Sequence, residues 1–430
     1  MKIKIKKSVA VLIRTIIGFS LVVAGIVFSP IMYLAALYTV VVILLEKSSL
    51  AIFCYLSAWL HVSAIFKLAV GSVTLFTLLE FVTICKLMLT RRPFKKWFLL
   101  AWMTYTVYLF IGMGSEYPEM IKAMCVPLLI YLFMRLLNYS GLKIVSLYYF
   151  IGLMVSSVIG LLRNQIPNMS AFVNFKQQGL GVQNFSLVKV DRFSGLWGDP
   201  NYYSTHLIII ISIICVLFSR REISAWVFYA VYSVMAALGA MTGSKSFILM
   251  LLVIVLFTIL LLLRQKLYSH AIVFICAVLI ALALMLTGII NPFEMVMYRF
   301  QNQEHSGFTT GRIAIWRDYL DLLGSNSKML LFGNGLGNSF PNRAPHNTLL
   351  DFIVLFGLFG GLICITTIVL ASSRGGIRQK GGSVIPLVSM LILYMFLSMF
   401  YSGALPFQII LCAGYYFIPQ SATEYHAVEA

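Results

Sequence analysis

The chain has 430 residues, of which 60% are hydrophobic and only 11% are charged, and its formal net charge is +18. Soluble globular proteins carry about 25% charged residues, so this composition excludes a soluble protein and indicates one that lies in a lipid bilayer. The basic residues cluster at the ends of apolar segments, which is how membrane proteins set their orientation, so the positive charge does not indicate a nucleic-acid partner.

The apolar runs predict an all-α, polytopic transmembrane protein with about 12–14 spans, since a helix needs roughly 20 apolar residues to cross the hydrocarbon core. The first run follows a lysine-rich start and resembles a signal peptide, but it continues to about Phe28 and a second run follows, so an uncleaved first helix is predicted. The runs on either side of Pro30 form either a hairpin or one broken element. The fourteen candidate spans are 9–28, 31–45, 48–66, 68–89, 97–113, 119–137, 143–162, 203–219, 223–241, 246–263, 270–290, 346–371, 383–400 and 404–419.

The distribution of charge predicts the organisation of the chain. Every second short turn is basic and the turns between them are nearly uncharged, which places both termini and the basic turns in the cytoplasm. Two long polar segments then lie on the outer face. The predicted order is transmembrane helices in 1–162, an extracytoplasmic loop at 163–202, helices in 203–290, a second extracytoplasmic loop with an amphipathic helix at 291–345, and C-terminal helices in 346–430.

Several classes of function are excluded by what the chain lacks. No cytoplasmic turn exceeds about ten residues, and no P-loop or strand followed by GxGxxG is present. An active site would therefore face outward or lie within the membrane, where ATP and nucleotide sugars are not available. The activated substrate would most simply be a lipid-linked diphosphate. The seven cysteines lie in apolar segments without metal-ligand spacing, and we interpret them as small buried hydrophobic residues.

Two short clusters place cations beside predicted outer helix ends. The segment 190–201 contains glycines, Pro and Asn, which predict a tight re-entry into a span, and Arg192 would lie at the membrane surface, where a guanidinium pairs well with phosphate. The alternative is a helix cap with an interfacial Arg and Trp. Lys245 lies in a tight turn at a helix start, which is unfavourable without an anionic partner. The alternative is a snorkelling lysine.

Two further clusters lie in and after the second long loop. Arg312 precedes an amphipathic helix whose apolar positions 313, 316, 320 and 323 share one face, opposite Arg317, Asp318 and Asp321. The glycine run at 332–337 follows no strand and is interpreted as a flexible loop. His346 opens a span, where a neutral imidazole is able to accept a proton, although a structural role is the alternative. His61 and His206 are interpreted as structural.

At these clusters the sequence resembles the O-antigen ligase and polymerase family, the Wzy- and WaaL-type proteins of bacterial surface polysaccharide assembly. The resemblance spans about Arg192 to Gly361, and its motifs are Arg192-Phe193-Ser194-Gly195 with Asp199-Pro200-Asn201, Thr242-Gly243-Ser244-Lys245, Gly311-Arg312 with Trp316, Gly333-Asn334-Gly335-Leu336-Gly337, His346-Asn347 and Phe356-Gly357-Leu358-Phe359-Gly360.

The resemblance implies a multi-span helical fold with an outward active site. It implies a glycan donor on undecaprenyl diphosphate, and neither a metal nor a nucleotide cofactor. Arg312 and His346 match the family's functional residues. Lys245 departs from the family's pattern, which has an arginine there, and lysine lacks the fork that grips two phosphate oxygens.

The expected function is a surface polysaccharide polymerase in the bacterial cytoplasmic membrane, acting as a metal-independent glycosyltransferase. His346 and Arg312 are its expected catalytic residues, and the diphosphate site comprises Arg312, Lys245 and Arg192. Trp197 and Trp316 are candidate glycan-binding residues. Expected partners are the bilayer, the lipid-linked oligosaccharide, and a chain-length regulator and flippase of the same pathway. The alternatives are an O-antigen ligase that transfers the glycan to lipid A core, and a flippase or transporter.

Overall fold

The computed structural model describes residues 2–62, 75–91, 94–111, 117–167, 169, 177–183, 186–286, 312–335, 345–373, 383–396 and 404–418. The prediction of an all-α polytopic fold is confirmed, because these residues form sixteen α-helices and only two short strands. The helices are α1 (Lys2–Val27), α2 (Pro30–Leu45), α3 (Ser49–Trp59), α4 (Leu75–Arg91), α5 (Lys96–Ile111), α6 (Tyr117–Leu136), α7 (Tyr139–Leu161), α8 (Pro200–Ser219), α9 (Ala225–Met241), α10 (Lys245–Arg264), α11 (Tyr268–Leu286), α12 (Arg312–Ser325), α13 (Ser327–Phe332), α14 (Thr348–Ser372), α15 (Ile385–Tyr394) and α16 (Leu405–Phe417).

Each of the fourteen candidate spans overlaps one helix, and α12 and α13 are the two remaining helices. Among the described residues, five helices are long and apolar enough to cross a membrane, namely Ser8–Val27 within α1, together with α7, α8, α10 and α14. The third span is shorter than predicted, because α3 ends at Trp59 and a 3-10 turn follows at Leu60–Val62. The thirteenth is also shorter, since α15 ends at Tyr394. Residues 63–74 and 397–403 lie outside the described part of the chain.

The two runs around Pro30 form a hairpin. Pro30 occupies the first turn of α2, where its missing N–H costs no helical hydrogen bond. Gly25 allows α2 to approach closely, because a Cβ on it would lie 2.9 Å from the backbone nitrogen of Met32. Arg14 of α1 and Glu46, the residue after α2, form an ion pair at 2.7 Å. An antiparallel pair of helices explains both the close approach at Gly25 and the ion pair between Arg14 and Glu46.

The first long loop contains a hairpin that the sequence did not predict. Strands β1 (Gln177–Gln183) and β2 (Ser186–Asp191) pair antiparallel, with Gln177 opposite Asp191. Strand β2 ends directly before Arg192, so the hairpin leads directly into the candidate segment 190–201.

Helix α8 is the central helix of the described bundle. In an 18-residue window of α8, 89% of the residues are buried, compared with 33% in α10 and 39% in α14. Its apolar run therefore packs against other helices rather than facing lipid. Since Asp199 caps its start, the N-terminus of the most enclosed helix fixes the position of the candidate site.

Candidate functional site

The re-entry segment Arg192–Asp199 lies tightly on helix α7. Gly195 has a φ of +52° and Gly198 a φ of +71°, a left-handed conformation that glycine adopts without steric cost. Gly195 also meets Gly160 of α7 so closely that a Cβ on Gly160 would lie 2.6 Å from the Gly195 Cα. The Leu196 N–H donates to the Ser156 hydroxyl oxygen at 3.0 Å. These contacts confirm the predicted tight re-entry.

Asn201 joins the re-entry segment to the turn between α9 and α10. Its side-chain oxygen accepts from Nη2 of Arg192 at 3.2 Å and from the Ser244 hydroxyl at 3.0 Å. Arg192 also donates through Nε to the Thr242 carbonyl at 2.7 Å, and it is buried. Two protein acceptors thus hold the guanidinium in one orientation.

The turn Thr242–Ser244 is fixed by short-range hydrogen bonds and one glycine. Gly243 has a φ of +57°, and the Ser244 N–H donates to the Thr242 hydroxyl at 3.1 Å. Ser244 caps α10 by accepting from the Phe247 N–H. Lys245 is the first residue of α10 and is half-buried. It directly follows Ser244, which donates to Asn201.

Arg312 begins α12 and faces the start of α8. Its Nη1 donates to the Phe396 carbonyl at 3.0 Å. Burial lowers the pKa of Arg312, and the Asp199 carboxylate acts in the opposite direction. An arginine stays protonated at every physiological pH, so Arg312 is a permanent cation beside a carboxylate.

Helix α12 is amphipathic, and its side chains form three stripes rather than two. Tyr319 and Leu323 are buried and form a small core with Met329 and Val354. Ile313 and Leu320, predicted to share the apolar face with Leu323, are 53% and 57% exposed. The helix therefore has a protein-facing stripe, an exposed apolar stripe and a charged stripe at 317, 318 and 321. An interfacial helix that also packs on protein is expected to have three such surfaces.

Trp316 connects α12 to the peptide that carries His346. Its indole N–H donates to the Pro345 carbonyl at 2.8 Å. His346 is exposed and has a φ of +48°, which is uncommon for a residue with a side chain. Asn347 then caps α14 by accepting from the Leu349 and Leu350 N–H groups at 3.0 and 3.2 Å. A hydrogen bond on one side and a helix cap on the other hold the histidine backbone in this conformation.

The glycine run is a packing motif in its described part, so its interpretation as a flexible loop was wrong there. Gly357 has a φ of +64° and breaks α14. The break frees two carbonyls, and these accept from the Asn334 N–H at 2.7 Å (Val354) and from the Gly335 N–H at 3.0 Å (Leu355). Residues 336–344 lie outside the described residues.

Helix α5 supports the same junction. The Tyr108 hydroxyl lies 2.7 Å from the Phe332 carbonyl and 2.6 Å from the Phe356 carbonyl. The Tyr108 phenol thus bridges the end of α13 and the break in α14, and it holds these two helices together.

Trp197 lies over a buried group of imidazole and phenol rings. Its indole N–H donates to Nδ1 of His61 at 3.3 Å. Its ring stacks on His206 with centroids 4.2 Å apart. The Tyr149 hydroxyl contacts Nδ1 of His206. His61 and His206 are therefore packed in the core, as their structural interpretation predicted.

The described residues bring the predicted site residues to one end of the bundle, which we call the Asn201 end. Arg192 and Ser244 share Asn201, Lys245 follows Ser244, and Arg312 faces Asp199. Trp316 links Arg312's helix to the residue before His346. No direct contact between His346 and the three cations is described.

Three polar residues at the Asn201 end were not singled out from the sequence. Asn201 is the hydrogen-bond hub, Asp199 is the counter-charge to Arg312, and Asp351 interacts electrostatically with Tyr202 and Tyr319. The signal for the first two was the Asp199-Pro200-Asn201 motif, which predicts only a helix cap. Asp351 lies one turn after Asn347, inside an apolar span, where a carboxylate is a sequence signal for a functional residue. The site is thus cationic with two carboxylates beside it.

Within the described residues, no group of three or more His, Cys, Asp or Glu side chains is placed to hold a metal ion. The seven cysteines are all free. Five are buried as predicted, whereas Cys85 is half-buried and Cys276 is exposed.

No family model matches the chain, no curated protein matches it significantly, and no solved structure does.

Proposed function

We propose that the protein is a surface polysaccharide polymerase of the bacterial cytoplasmic membrane, with both termini in the cytoplasm. It transfers a glycan from undecaprenyl diphosphate to a sugar hydroxyl of an acceptor glycan at the Asn201 end, on the outer face. The observation that supports this proposal is that Arg192 and Ser244, the residue before Lys245, share the Asn201 oxygen, while Arg312 interacts electrostatically with the nearby Asp199. A flippase and a chain-length regulator of the same pathway would supply its substrate and limit its product.

The helix ends at this site favour an anionic ligand. Helices α8 and α10 begin within one hydrogen-bond network, through Asn201 and Ser244. Helix α12 begins with Arg312, and α14 begins just after the Pro345 carbonyl that Trp316 contacts. The N-terminus of a helix carries a partial positive charge, and side chains already cap α8, α10 and α14. The adjoining positive ends of α8 and α10, together with the three cations, favour a diphosphate in this proposal.

The proposed reaction uses these charges on the leaving group. The acceptor hydroxyl oxygen bonds to the anomeric carbon of the donor glycan, and the bond from that carbon to the diphosphate oxygen breaks. Negative charge develops on the departing lipid diphosphate, where fixed cations stabilise the transition state most. Arg312 and Lys245 supply this stabilisation, together with the Arg192 guanidinium. His346 takes the hydroxyl proton as the general base, and its exposure lets it pass the proton to water.

The two tryptophans bind glycan through their rings in this proposal. Both indole N–H groups donate to protein acceptors, His61 for Trp197 and Pro345 for Trp316. Sugar contacts would therefore be made by ring faces, which stack on the apolar C–H faces of pyranoses. Trp197 has one face on His206, so only its other face is suited to this role.

An O-antigen ligase is the alternative with the same donor chemistry, because only the acceptor differs. A flippase would need charged side chains paired deep within the bundle. Arg14 pairs with Glu46 at a helix end, and Lys86 donates to the Ile43 and Leu44 carbonyls at the end of α2. Glu80, which is buried and near Lys122, is the feature that fits a transporter.

The test replaces Arg312 by Ala and His346 by Asn in cells that depend on this chain for polysaccharide assembly. Asparagine tolerates the positive φ of position 346, so the variant removes the imidazole without adding backbone strain. We expect both variants to insert normally and to lose chain extension by about 100-fold or more. Arg317→Ala, on the exposed side of the same helix, is the matched control.

The products separate the alternatives. Loss of a polymerase leaves single repeat units on the acceptor, whereas loss of a ligase leaves unmodified core and accumulated lipid-linked glycan. Wild-type chain lengths in both Arg312→Ala and His346→Asn would refute the proposed site.

A further inference from the structure

A buried polar cluster beneath Trp197 draws on five separate parts of the described chain. His61 comes from the 3-10 turn after α3, Tyr149 from α7 and His206 from α8. Gln408 of α16 lies 3.5 Å from Nδ1 of His206 and accepts from the Tyr394 hydroxyl at 2.7 Å. His61 is 1% exposed, and His206 and Gln408 are fully buried. Buried polar side chains in a membrane protein usually carry a specific role.

The hydrogen bond from Trp197 fixes which nitrogen of His61 is the acceptor. An indole N–H is only ever a donor, so Nδ1 of His61 must present its lone pair to Trp197. A neutral imidazole with an accepting Nδ1 carries its proton on Nε2. That Nε2 has no hydrogen-bond partner among the described residues, and the same is true of Nε2 of His206. Among the described hydrogen bonds, His61 thus contacts Trp197 only through Nδ1.

Packing holds the indole ring in the same position. The Trp197 and His206 rings are inclined by only 26°, with centroids 4.2 Å apart. His61 stands edge-on to both, 5.8 Å from Trp197 and 4.9 Å from His206. The Tyr149 ring lies 4.4 Å from His61, also edge-on. Of these rings, only His61 gives the indole a hydrogen bond as well as a contact.

Trp197 in turn anchors the segment that carries Arg192. The backbone N–H of Trp197 donates to the Ser194 carbonyl at 3.0 Å, and this hydrogen bond closes the turn. Four residues further along, the Asn201 side-chain oxygen accepts from Nη2 of Arg192. A shift of the indole would therefore move the turn, and with it the hydrogen bonds that orient the guanidinium.

The same cluster is also connected to Arg312. Tyr394 is the last residue of α15, and its hydroxyl donates to Gln408, which neighbours His206. Two residues later, the Phe396 carbonyl accepts from Arg312. The buried rings are thus connected, through hydrogen bonds and short stretches of chain, to the acceptors of both arginines.

We propose that His61 is a positioning residue: its Nδ1 holds Trp197, and through Trp197 it sets the re-entry segment and the orientation of Arg192. The role in catalysis rests on the proposed function, but the effect on the re-entry segment does not.

The test compares three substitutions that distinguish the roles of the two ring nitrogens of His61. His61→Asn places an amide oxygen near the position of Nδ1, His61→Gln places its amide near Nε2, and His61→Leu removes both. Hydrogen exchange of the full-length protein in lipid nanodiscs reports on the Leu196 and Trp197 amides, which are hydrogen-bonded in the turn. Chain extension is measured on the same variants.

We expect exchange at Leu196 and Trp197 to rise about fivefold in His61→Leu and His61→Gln, the change expected from losing one neutral hydrogen bond. His61→Asn should restore wild-type exchange, and chain extension should follow the same order. Wild-type exchange in all three variants, or rescue by Gln and not by Asn, would overturn the proposal. If exchange follows the predicted order while chain extension is unchanged by Arg312→Ala, then the proposed function fails and the positioning of the segment stands.

Discussion

At the scale of single residues, Lys245 is the cation of the proposed diphosphate site that begins a helix. It is the first residue of α10 and follows Ser244, whose hydroxyl donates to the Asn201 side-chain oxygen. In the proposed site, lysine contacts a phosphate as a point charge, whereas an arginine would grip two oxygens as a fork.

Lys245→Gln is expected to lower chain extension by about tenfold, because a neutral side chain no longer stabilises the leaving group. Lys245→Arg should retain or raise the activity, since arginine grips two oxygens. The matched control is Lys266→Gln, since Lys266 is exposed beyond the opposite end of the same helix. Equal loss in the Gln and Arg variants would show that charge at position 245 is not what matters.

The sequence identified the cations but not their partners. Arg192, Lys245 and Arg312 were recognisable because a basic residue at an outer helix start is unusual. Arg192 donates to the Thr242 carbonyl and the Asn201 amide oxygen, and Arg312 donates to the Phe396 carbonyl. The first and last of these lie 50 and 84 residues from their arginines, and backbone carbonyls have no sequence signature, so no local pattern could predict them.

At the scale of elements, the contact between Gly333 and Gly357 fixes α13 against the break in α14. A Cβ on Gly357 would lie 2.4 Å from both the Gly333 nitrogen and the Leu331 carbonyl oxygen. Both contacts are to backbone, which cannot move aside without separating the helices.

Gly357→Ala is therefore expected to destabilise the protein by more than about 2 kcal/mol, from strain at positive φ and from the clash. Gly324→Ala is the control, because a Cβ there meets nothing within 4 Å and alanine favours a helix. Thermal unfolding in detergent measures both. An unchanged midpoint for Gly357→Ala would contradict the close packing of α13 on α14.

Glu222, in the turn between α8 and α9, gives a pH-dependent prediction. Burial raises the pKa of Glu222, but hydrogen bonds from Lys143 and Tyr139 outweigh it and bring the pKa below its ordinary value of 4.5. A carboxyl with a lowered pKa stabilises the fold above its unfolded pKa and loses that contribution as the pH falls through the lower folded value.

Glu222→Gln should lower the unfolding midpoint by about 1–2 °C at pH 7, since a partly exposed ion pair contributes about 1 kcal/mol or less. The difference from wild type should shrink as the pH falls below about 4.5, the ordinary value of the carboxyl pKa. Thermal unfolding midpoints of the wild type and of Glu222→Gln, measured from pH 7 to pH 3.5, test this prediction. A difference between the two midpoints that does not change with pH would contradict the account of Glu222.

The elements were predicted well where the information is local. Fourteen helices lie at the fourteen apolar runs, because hydropathy alone determines a span. The break at Gly357 was not predicted, since it depends on Asn334 and Gly335 binding the carbonyls that it frees. The contact of α12 with α13 and α14 was not predicted for the same reason: Tyr319 is buried by Met329 and Val354, which periodicity within the helix cannot reveal.

At the scale of the whole molecule, the bundle has two chemically different ends. The Asn201 end carries the candidate site, and the opposite end carries structural ion pairs such as Lys143–Glu222 and Arg14–Glu46. In the proposed topology, which rests on the alternation of basic turns, the opposite end lies in the cytoplasm.

Two cysteine substitutions test this orientation. Ser325 at the end of α12 and Ser224 before α9 are both exposed and belong to opposite ends. A membrane-impermeant maleimide should label Ser325→Cys in intact spheroplasts, and Ser224→Cys only after the membrane is permeabilised, with the unsubstituted chain as background. The reverse pattern would invert the proposed topology and move the candidate site to the cytoplasmic face.

Reconstitution of the purified protein tests the central claim most directly. Liposomes containing the protein and a glycan linked to undecaprenyl diphosphate, without ATP or nucleotide sugars and with a metal chelator, should yield extended lipid-linked chains. Arg317→Ala should extend them as the wild type does, and Arg312→Ala should not. The absence of extended chains with the wild type, or equal extension by Arg312→Ala, would contradict glycosyl transfer at the Asn201 end.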